Sequence, residues 1–458
     1  MHNLFISIVQ YKKNNTMKLS NYNIYIPHGG FTILYNSYTD RFLGVSNGVA
    51  ALLKKNNFDG LNAQSAVWQK MKILGMLIDD NVNEIAELEH NYHETKYNNR
   101  KLYFMVYPTQ DCNLKCWYCY ESHKKGTKMS QDVLAAVQKY VEKAIEANEF
   151  DSLHLAFFGG EPLLNYSKVA SPLAHAIKQM CESAGKIFSS FFVTNASLMT
   201  EEIVEDLADL NPYFQITLDG DAEKHDQVRI WKRDERGTYR QIMNAVHLIT
   251  KNMTSPKNSD DPLITLRINY DNDTLRHIDT ILNDLKDIDK NKVRIHFERV
   301  WQTRNLIDRE QQQLLLTVLS KFVKEGFIIS HGVFRRKDIA CPSDSTSFFI
   351  VNYDGTIHKC NGRTLDEKTQ EGILDAKGTI LWDETRIKQR MNLKTFNNPT
   401  CLSCKILPLC MGPCSQKYLE EGKITRNICS KNSLDFSIEE YLAFEFEMRY
   451  YLEKINQK

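Results

Sequence analysis

The sequence predicts an α/β protein built around an incomplete barrel of parallel strands. Two observations predict it: strands and helices alternate from Lys101 to about Val300, and cysteines gather where that alternation pauses or ends. KLYFMVYP, SLHLAFFGG, SSFFVTN, YFQITLDG, LITLRINY and VRIHFERV each look like buried strands. Helical spacing fills the gaps between them, at Gln131–Asn148, Tyr166–Ala184 and Glu201–Leu210. Alternation of this kind builds parallel β/α units whose functional residues lie at the C-terminal strand ends. Six strands are fewer than the eight of a closed TIM barrel, so a partial (β/α)6 TIM barrel is expected.

The flanks differ. From Tyr22 to Ser46 apolar and polar residues alternate around Gly29–Gly30 and Asp40–Arg41, as in short strands with turns. Residues 47–95 change to helical spacing, with Ala50, Leu52 and Leu53, then Val67, Met71, Leu74 and Ile78, then Val82, Ile85 and Leu88. The polar stretch His90–Arg100 reads as a linker. Beyond Asp338 periodicity fades while cysteine density rises, the mark of a small domain that uses metal bonds where apolar core is short. Ser437–Ile455 is helical again. The boundaries expected are 1–16, an unstructured extension; 17–99; 100–335, the barrel; 336–435, the cysteine-rich domain; and 436–458, a terminal helix.

Composition narrows the function. The 58 basic and 57 acidic side chains leave net charge +1, which suits no duplex-binding surface. No apolar run approaches the ~18 residues of a membrane span, and the N-terminus lacks a signal-peptide pattern. A cytoplasmic location is expected, where thiols stay reduced and the clustered ones among the eleven cysteines read as metal ligands.

At the end of the first barrel strand stand Cys112, Cys116 and Cys119, spaced C-x3-C-x2-C. Three thiolates on a tight loop can hold three irons of a 4Fe–4S cluster and leave the fourth iron open. Structural zinc would need a fourth ligand, and the first candidate after Cys119 is His123. Phe158-Gly159-Gly160-Glu161-Pro162 follows the second strand, where glycines allow close approach to a ligand and Glu161 offers acceptors to a cationic amino group. Later come Cys341, Gly355-x4-Cys360, then Cys401-x2-Cys404-x5-Cys410-x3-Cys414, and Cys429. A zinc ribbon of Cys401, Cys404, Cys410 and Cys414 would leave Cys341, Cys360 and Cys429 unused. Cys181, inside a helix, reads as a small buried apolar residue.

These motifs resemble the radical S-adenosylmethionine (SAM) superfamily, whose signature is C-x3-C-x2-C with an aromatic before the third cysteine, here Tyr118. The resemblance implies an open iron chelated by SAM, and reductive cleavage to methionine and a 5′-deoxyadenosyl radical. Gly159, Gly160, Glu161 and Pro162 are similar to the family's GGEP loop. Asn195 with Thr194, and Thr217 with Asp219 in Thr217-Leu218-Asp219-Gly220, resemble positions that contact SAM. His225, Asp226 and Arg229 match an HDxxR spacing common there, with Arg267 and Asn269 facing the same end. The C-terminal cysteines resemble the SPASM domain, which implies two auxiliary 4Fe–4S clusters and three clusters in all. Carried onto this chain, Cys341, Cys360 and Cys414 would hold the first, and Cys401, Cys404, Cys410 and Cys429 the second.

The implied activity is maturation of a peptide or protein, probed by two branches of the family. Anaerobic sulfatase maturases place a carboxylate after the second SPASM cysteine as base for formylglycine formation. Here that position is Asn361, which does not titrate. Maturases of ribosomally made peptides often begin with a winged-helix-like module that grips a leader peptide, and residues 22–95 resemble it. The expectation is a radical SAM/SPASM oxidoreductase that crosslinks a precursor peptide, with a reductase or a flavodoxin- or ferredoxin-type protein as electron donor and no nucleic-acid or membrane partner. Formylglycine formation is the alternative. A non-catalytic metal-binding scaffold is another, against which the intact SAM-type cysteines and GGEP argue. No catalytic residue is assigned beyond these.

Overall fold

The computed structural model describes residues 16–56, 61, 65–255, 261–300, 309–331 and 335–456. Of the expected N-terminal extension, residues 1–15 lie outside them.

The chain starts with a short strand, β1 (Met17–Leu19), and an antiparallel meander of β2 (Asn23–His28), β3 (Phe31–Asn36) and β4 (Arg41–Ser46). The turn into β4 is organised by Asn36, whose Oδ1 accepts from the backbone N–H groups of Tyr38 (3.0 Å) and Thr39 (2.9 Å). Three helices follow, Asn47–Lys54, Ala66–Ile73 and Glu84–Tyr97, capped by Ser46, Ser65 and Asn83 through side-chain oxygens. Between the last two, β5 (Leu77–Asp79) pairs antiparallel with β1.

The expected linker at His90–Arg100 is instead mostly helix, continuing to Tyr97. Its buried stripe is Glu84, Leu88, Tyr92 and Lys96, one residue per turn. Two of those four are charged, so hydrophobicity hides the period. The charges are satisfied locally: Glu84 accepts from the Asn21 N–H at 2.8 Å, and Lys96 Nζ donates to the Met391 carbonyl at 2.7 Å. Leu88 and Tyr92 pack with Phe396, Leu407 and Met411, which fastens this helix to the cysteine-rich region.

The remaining strands are β6 (Lys101–Val106), β7 (Leu114–Cys116), β8 (Ser152–Phe157), β9 (Ile187–Thr194), β10 (Pro212–Leu218), β11 (Arg229–Trp231), β12 (Ile264–Tyr270), β13 (Val293–Arg299), β14 (Ile328–His331), β15 (Phe348–Val351), β16 (Thr356–His358), β17 (Gln370–Leu374) and β18 (Ile380–Trp382). Eleven of them form one mixed sheet, ordered β14-β13-β12-β10-β9-β8-β6-β15-β16-β17-β18. The six strands expected from sequence are β6, β8, β9, β10, β12 and β13, consecutive and parallel. Two more parallel strands border them, β14 beside β13 and β15 beside β6. Each has only four residues, too few to show a period.

β15 matters for the whole molecule. It lies parallel to β6 but antiparallel to β16, so the barrel sheet continues without a break into the C-terminal hairpins. Phe104 on β6 stacks face to face on its neighbour Phe349, with centroids 5.1 Å apart. The helix Ile438–Asn456 returns to the N-terminal meander, where Arg449 pairs with Asp40 at 3.0 Å. Cys181 is fully buried on its helix beside Ile177 in the apolar core.

Tyr92 tests the rigid attachment of the third helix. Its ring is buried and its hydroxyl has no hydrogen-bond partner. Tyr92→Ala should cost about 3–5 kcal/mol through the cavity it leaves, whereas Tyr92→Phe should be neutral or stabilising. Urea midpoints measure both.

Candidate active site at the barrel mouth

The cysteine loop leaves β6 and is set by Asp111 before its first thiol. Asp111 Oδ1 accepts from the Cys112 N–H and Oδ2 from the Gly126 N–H, each at 2.8 Å, closing the loop at both ends. Within it, β7 pairs antiparallel with β11 and sets Cys116 opposite Arg229. A tight turn then brings the Cys119 N–H to the Cys116 carbonyl at 3.1 Å.

The loop after β8 lies directly against this one. Gly160 N donates to the Thr109 carbonyl (3.2 Å) and Glu161 N to the Asp111 carbonyl (2.9 Å). A Cβ on Gly159 would stand 2.3 Å from Thr109 O, and one on Gly160 2.0 Å from Asp111 O. Gly159 also has φ +115°, open to glycine alone in practice. These glycines permit a close approach to the cysteine loop while both also line the cavity beside it.

Glu161 is buried and holds the next strand end. Its Oε1 accepts from the Leu163 N–H (3.0 Å) and the Thr194 hydroxyl (2.7 Å), and its Oε2 from the Asn195 N–H (2.8 Å). Burial still raises its carboxyl pKa, against these bonds. Pro162, buried, opens the short 3-10 turn that Glu161 caps. Asn195 turns its amide to Asn113 Oδ1 at 3.0 Å and so leans over Cys112.

Opposite lies a second network. The Tyr118 hydroxyl donates to Asp219 Oδ2 (2.7 Å) and accepts from Arg229 Nη1 (2.8 Å) and Asn269 Nδ2 (2.9 Å). Arg229 also pairs with Asp219 at 3.3 Å, and Arg267 donates to Asn269 Oδ1 at 3.0 Å. His225 and Asp226 support this from behind: His225 Nδ1 accepts from the Asp219 N–H (3.2 Å), and Asp226 caps the helix Tyr239–Asn252 through the Thr238 and Tyr239 N–H groups. Of the HDxxR triplet, only Arg229 lines the cavity.

Between the networks opens a cavity of about 290 Å3 at the C-terminal ends of the strands. Cys112, Cys116, Cys119, Tyr118, Gly159, Gly160, Glu161, Asn195, Thr217 and Arg229 line it, whereas Pro162 and Asp219 stand behind its wall. Glu121, Gln215 and Arg299 line it too, and no sequence pattern marked them. Glu121 is the notable one, since burial raises its carboxyl pKa to about 8 while the Tyr107 hydroxyl donates to it at 3.2 Å. Asn361 closes the cavity from the C-terminal side, held by the Tyr120 hydroxyl on its carbonyl at 2.7 Å.

All eleven cysteines are free thiols. Burial pushes Cys112 up to about 12 and Cys116 to about 11, so these thiols ionise at neutral pH only beside added positive charge such as a metal. Among the described residues no three His, Cys, Asp or Glu side chains converge on a point where one metal ion would sit. Cys112, Cys116 and Cys119 all line the one cavity at the strand ends. At the C-terminal end, Cys401, Cys404, Cys410 and Cys429 all line a second cavity of about 810 Å3, walled on its other side by Asn23, Ile24 and Tyr25 of β2.

Residues 106–295 match the radical SAM superfamily. The cysteine-type anaerobic sulfatase-maturating enzyme of Clostridium novyi (strain NT) is 21% identical over 340 residues, covering 69% of this chain and 88% of that one. Among solved structures, native anSMEcpe with bound AdoMet and Cp18Cys peptide superimposes with TM-score 0.53 at 19% identity, over 69% of this chain and 89% of its own. Streptococcus suis SuiB superimposes with TM-score 0.50 at 15% identity, over 88% of this chain and 96% of its own. The chain thus carries a radical SAM domain in an α/β fold with a large mixed sheet, and resembles maturases of that superfamily. No described helix is long and apolar enough to cross a membrane.

Gly160→Ala should break the contact between the two loops. Iron bound per chain should fall by about four, the content of one cluster, while Gly30→Ala, with open space around its Cβ position, should leave iron unchanged. Full iron in Gly160→Ala protein would contradict the packing argument.

Proposed function

We propose that this protein is a radical SAM/SPASM maturase that crosslinks a ribosomally made precursor peptide. Cys112, Cys116 and Cys119 would hold the SAM-binding cluster, Cys341, Cys360 and Cys414 a first auxiliary cluster, and Cys401, Cys404, Cys410 and Cys429 a second. Bound there, cluster and SAM would supply a 5′-deoxyadenosyl radical. The chain's own residues do the rest: Glu161 and Asn195 shape one wall for SAM, Tyr118, Thr217 and the Asp219–Arg229 pair the other, and Asn361 meets the substrate at the mouth. An external electron donor completes the system.

The observation that carries the peptide reading is the N-terminal unit. A short strand and a three-stranded antiparallel meander come first and three helices after, with β5 between the last two, broadly the strands-then-helices order expected of a winged-helix-like leader-binding module. Among the described residues β4 pairs only with β3, and Arg41, Gly44 and Ser46 on it are exposed, leaving an edge for strand addition. The formylglycine reading has the Clostridium relative in its favour, but Asn361 offers no base where the sulfatase-type enzymes carry a carboxylate.

This unit is not detachable. Ile24, Ile26, Ile33 and Tyr35 belong to the same apolar core as the barrel, and Lys405 of the cysteine-rich region accepts from the Ser37 hydroxyl and donates to the Asn21 carbonyl. Removing residues 1–100 would expose that core, so leader binding has to be measured on the full chain.

Hydrogen exchange of the intact protein with a cognate precursor peptide should protect residues 41–46, and product mass should show loss of hydrogen with sulfur retained. Protection elsewhere with β4 unchanged would remove the edge-strand reading, and loss of sulfur from a cysteine would favour formylglycine formation.

A further inference from the structure

The SPASM reading leaves one ligand place unfilled. Two four-iron clusters present eight iron corners in all, whereas seven C-terminal cysteines are available. We propose that Asp344 is the fourth protein ligand of the first auxiliary cluster, closing it with oxygen beside Cys341, Cys360 and Cys414. The inference rests on the SPASM reading and goes beyond it.

Position comes first. The 3-10 turn Pro342–Asp344 follows Cys341 directly, and the Asp344 N–H bonds back to the Cys341 carbonyl at 3.0 Å. One turn therefore carries both side chains. Ser343, between them, donates to Cys341 Sγ at 3.1 Å, and its oxygen lies 3.4 Å from that of Ser415, the residue after Cys414. Asp344 thus sits where the Cys341 and Cys414 segments meet.

Its state is unusual. Asp344 is 3% exposed, and no hydrogen bond of ordinary geometry reaches either carboxylate oxygen. The nearest donor is the Ser415 hydroxyl, which accepts from Arg390 Nη1 at 2.9 Å and keeps its own proton for Asp344. One serine hydroxyl leaves most of a buried carboxylate's acceptor capacity unfilled, which is unfavourable unless something else occupies it. An iron corner at this spot would do so.

The surrounding charges call for an acid here. Lys96, Lys359 and Arg390 are all buried around this place. Arg390 is paired with Glu371 at 3.0 Å, but Lys96 and Lys359 donate to the carbonyls of Met391 (2.7 Å) and Ser345 (2.5 Å). Buried cations need compensating negative charge. An oxidised cluster core with three thiolates carries one negative charge, and with Asp344 and Glu371 it matches the three cations whether the carboxylate binds iron or lies beside it, so the placement of Asp344 on the Cys341 turn is what points to ligation. With the carboxylate serving only as their counter-ion, the fourth corner would be free for a substrate thiolate.

The test uses full-length protein with Cys112, Cys116 and Cys119 replaced by Ala, so that only auxiliary iron remains. This parent and its Asp344→Cys form should each hold about eight irons, whereas Asp344→Ala should show a three-iron signal by electron paramagnetic resonance after mild oxidation. Asp344→Cys should also change the resonance of the reduced cluster, which keeps the test decisive if Asp344→Ala does not fold. The proposal is overturned if Asp344→Ala keeps its iron with no three-iron signal, or if Asp344→Cys loses iron as Asp344→Ala does or leaves the reduced spectrum unchanged. About four irons in the parent would instead overturn the reading of two auxiliary clusters, and this inference with it.

Discussion

Two loops from neighbouring strands cross at the barrel mouth with no space between their backbones, and most of the site follows from that contact. The loop after β8 lies against the cysteine loop closely enough that a single Cβ on Gly160 would fall 2.0 Å from Asp111 O. Backbone hydrogen bonds at Gly160 and Glu161 zip the two together. Because Glu161 then reaches Thr194 and Asn195, the ends of β6, β8 and β9 become one rigid shelf. On the far side, the β7–β11 pairing sets Cys116 against Arg229 and hands rigidity on to Asp219 and Asn269. Backbone bonds fix where Cys112, Cys116 and Cys119 stand along the loop.

The second constraint is continuity. β15 pairs with β6, so the strand leading to the SAM-type cysteines also borders the cysteine-rich region. Asn361, next to Cys360, reaches the barrel cavity through the same connection, and β2 of the N-terminal meander walls the cavity lined by Cys401, Cys404, Cys410 and Cys429. Barrel, C-terminal hairpins and meander are therefore neighbours around one axis of chemistry. An arrangement of this kind suits a long substrate that is gripped at one place and altered at another.

Much of this was legible in the sequence. The six parallel strands declare themselves as apolar runs, and fixed cysteine spacings survive any error in element boundaries. What stayed hidden has physical reasons. The helix to Tyr97 buries Glu84 and Lys96 on its inner stripe, so a hydrophobicity pattern reads its second half as linker. β14 and β15 are too short to show a period. Glu121, Gln215 and Arg299 reach the cavity only because separate strands end at one level, which no local pattern encodes. The glycines of GGEP pack against the cysteine loop and also line the cavity, so close backbone packing and room for a ligand leave the same mark in sequence.

The central claim is that the cavity at the barrel mouth supports reductive cleavage of SAM. Anaerobically reconstituted, reduced protein should convert SAM to 5′-deoxyadenosine and methionine, and replacing Cys112, Cys116 and Cys119 together by Ala should abolish this while the C-terminal iron stays bound. Deoxyadenosine formed at an undiminished rate by the triple variant would contradict the account.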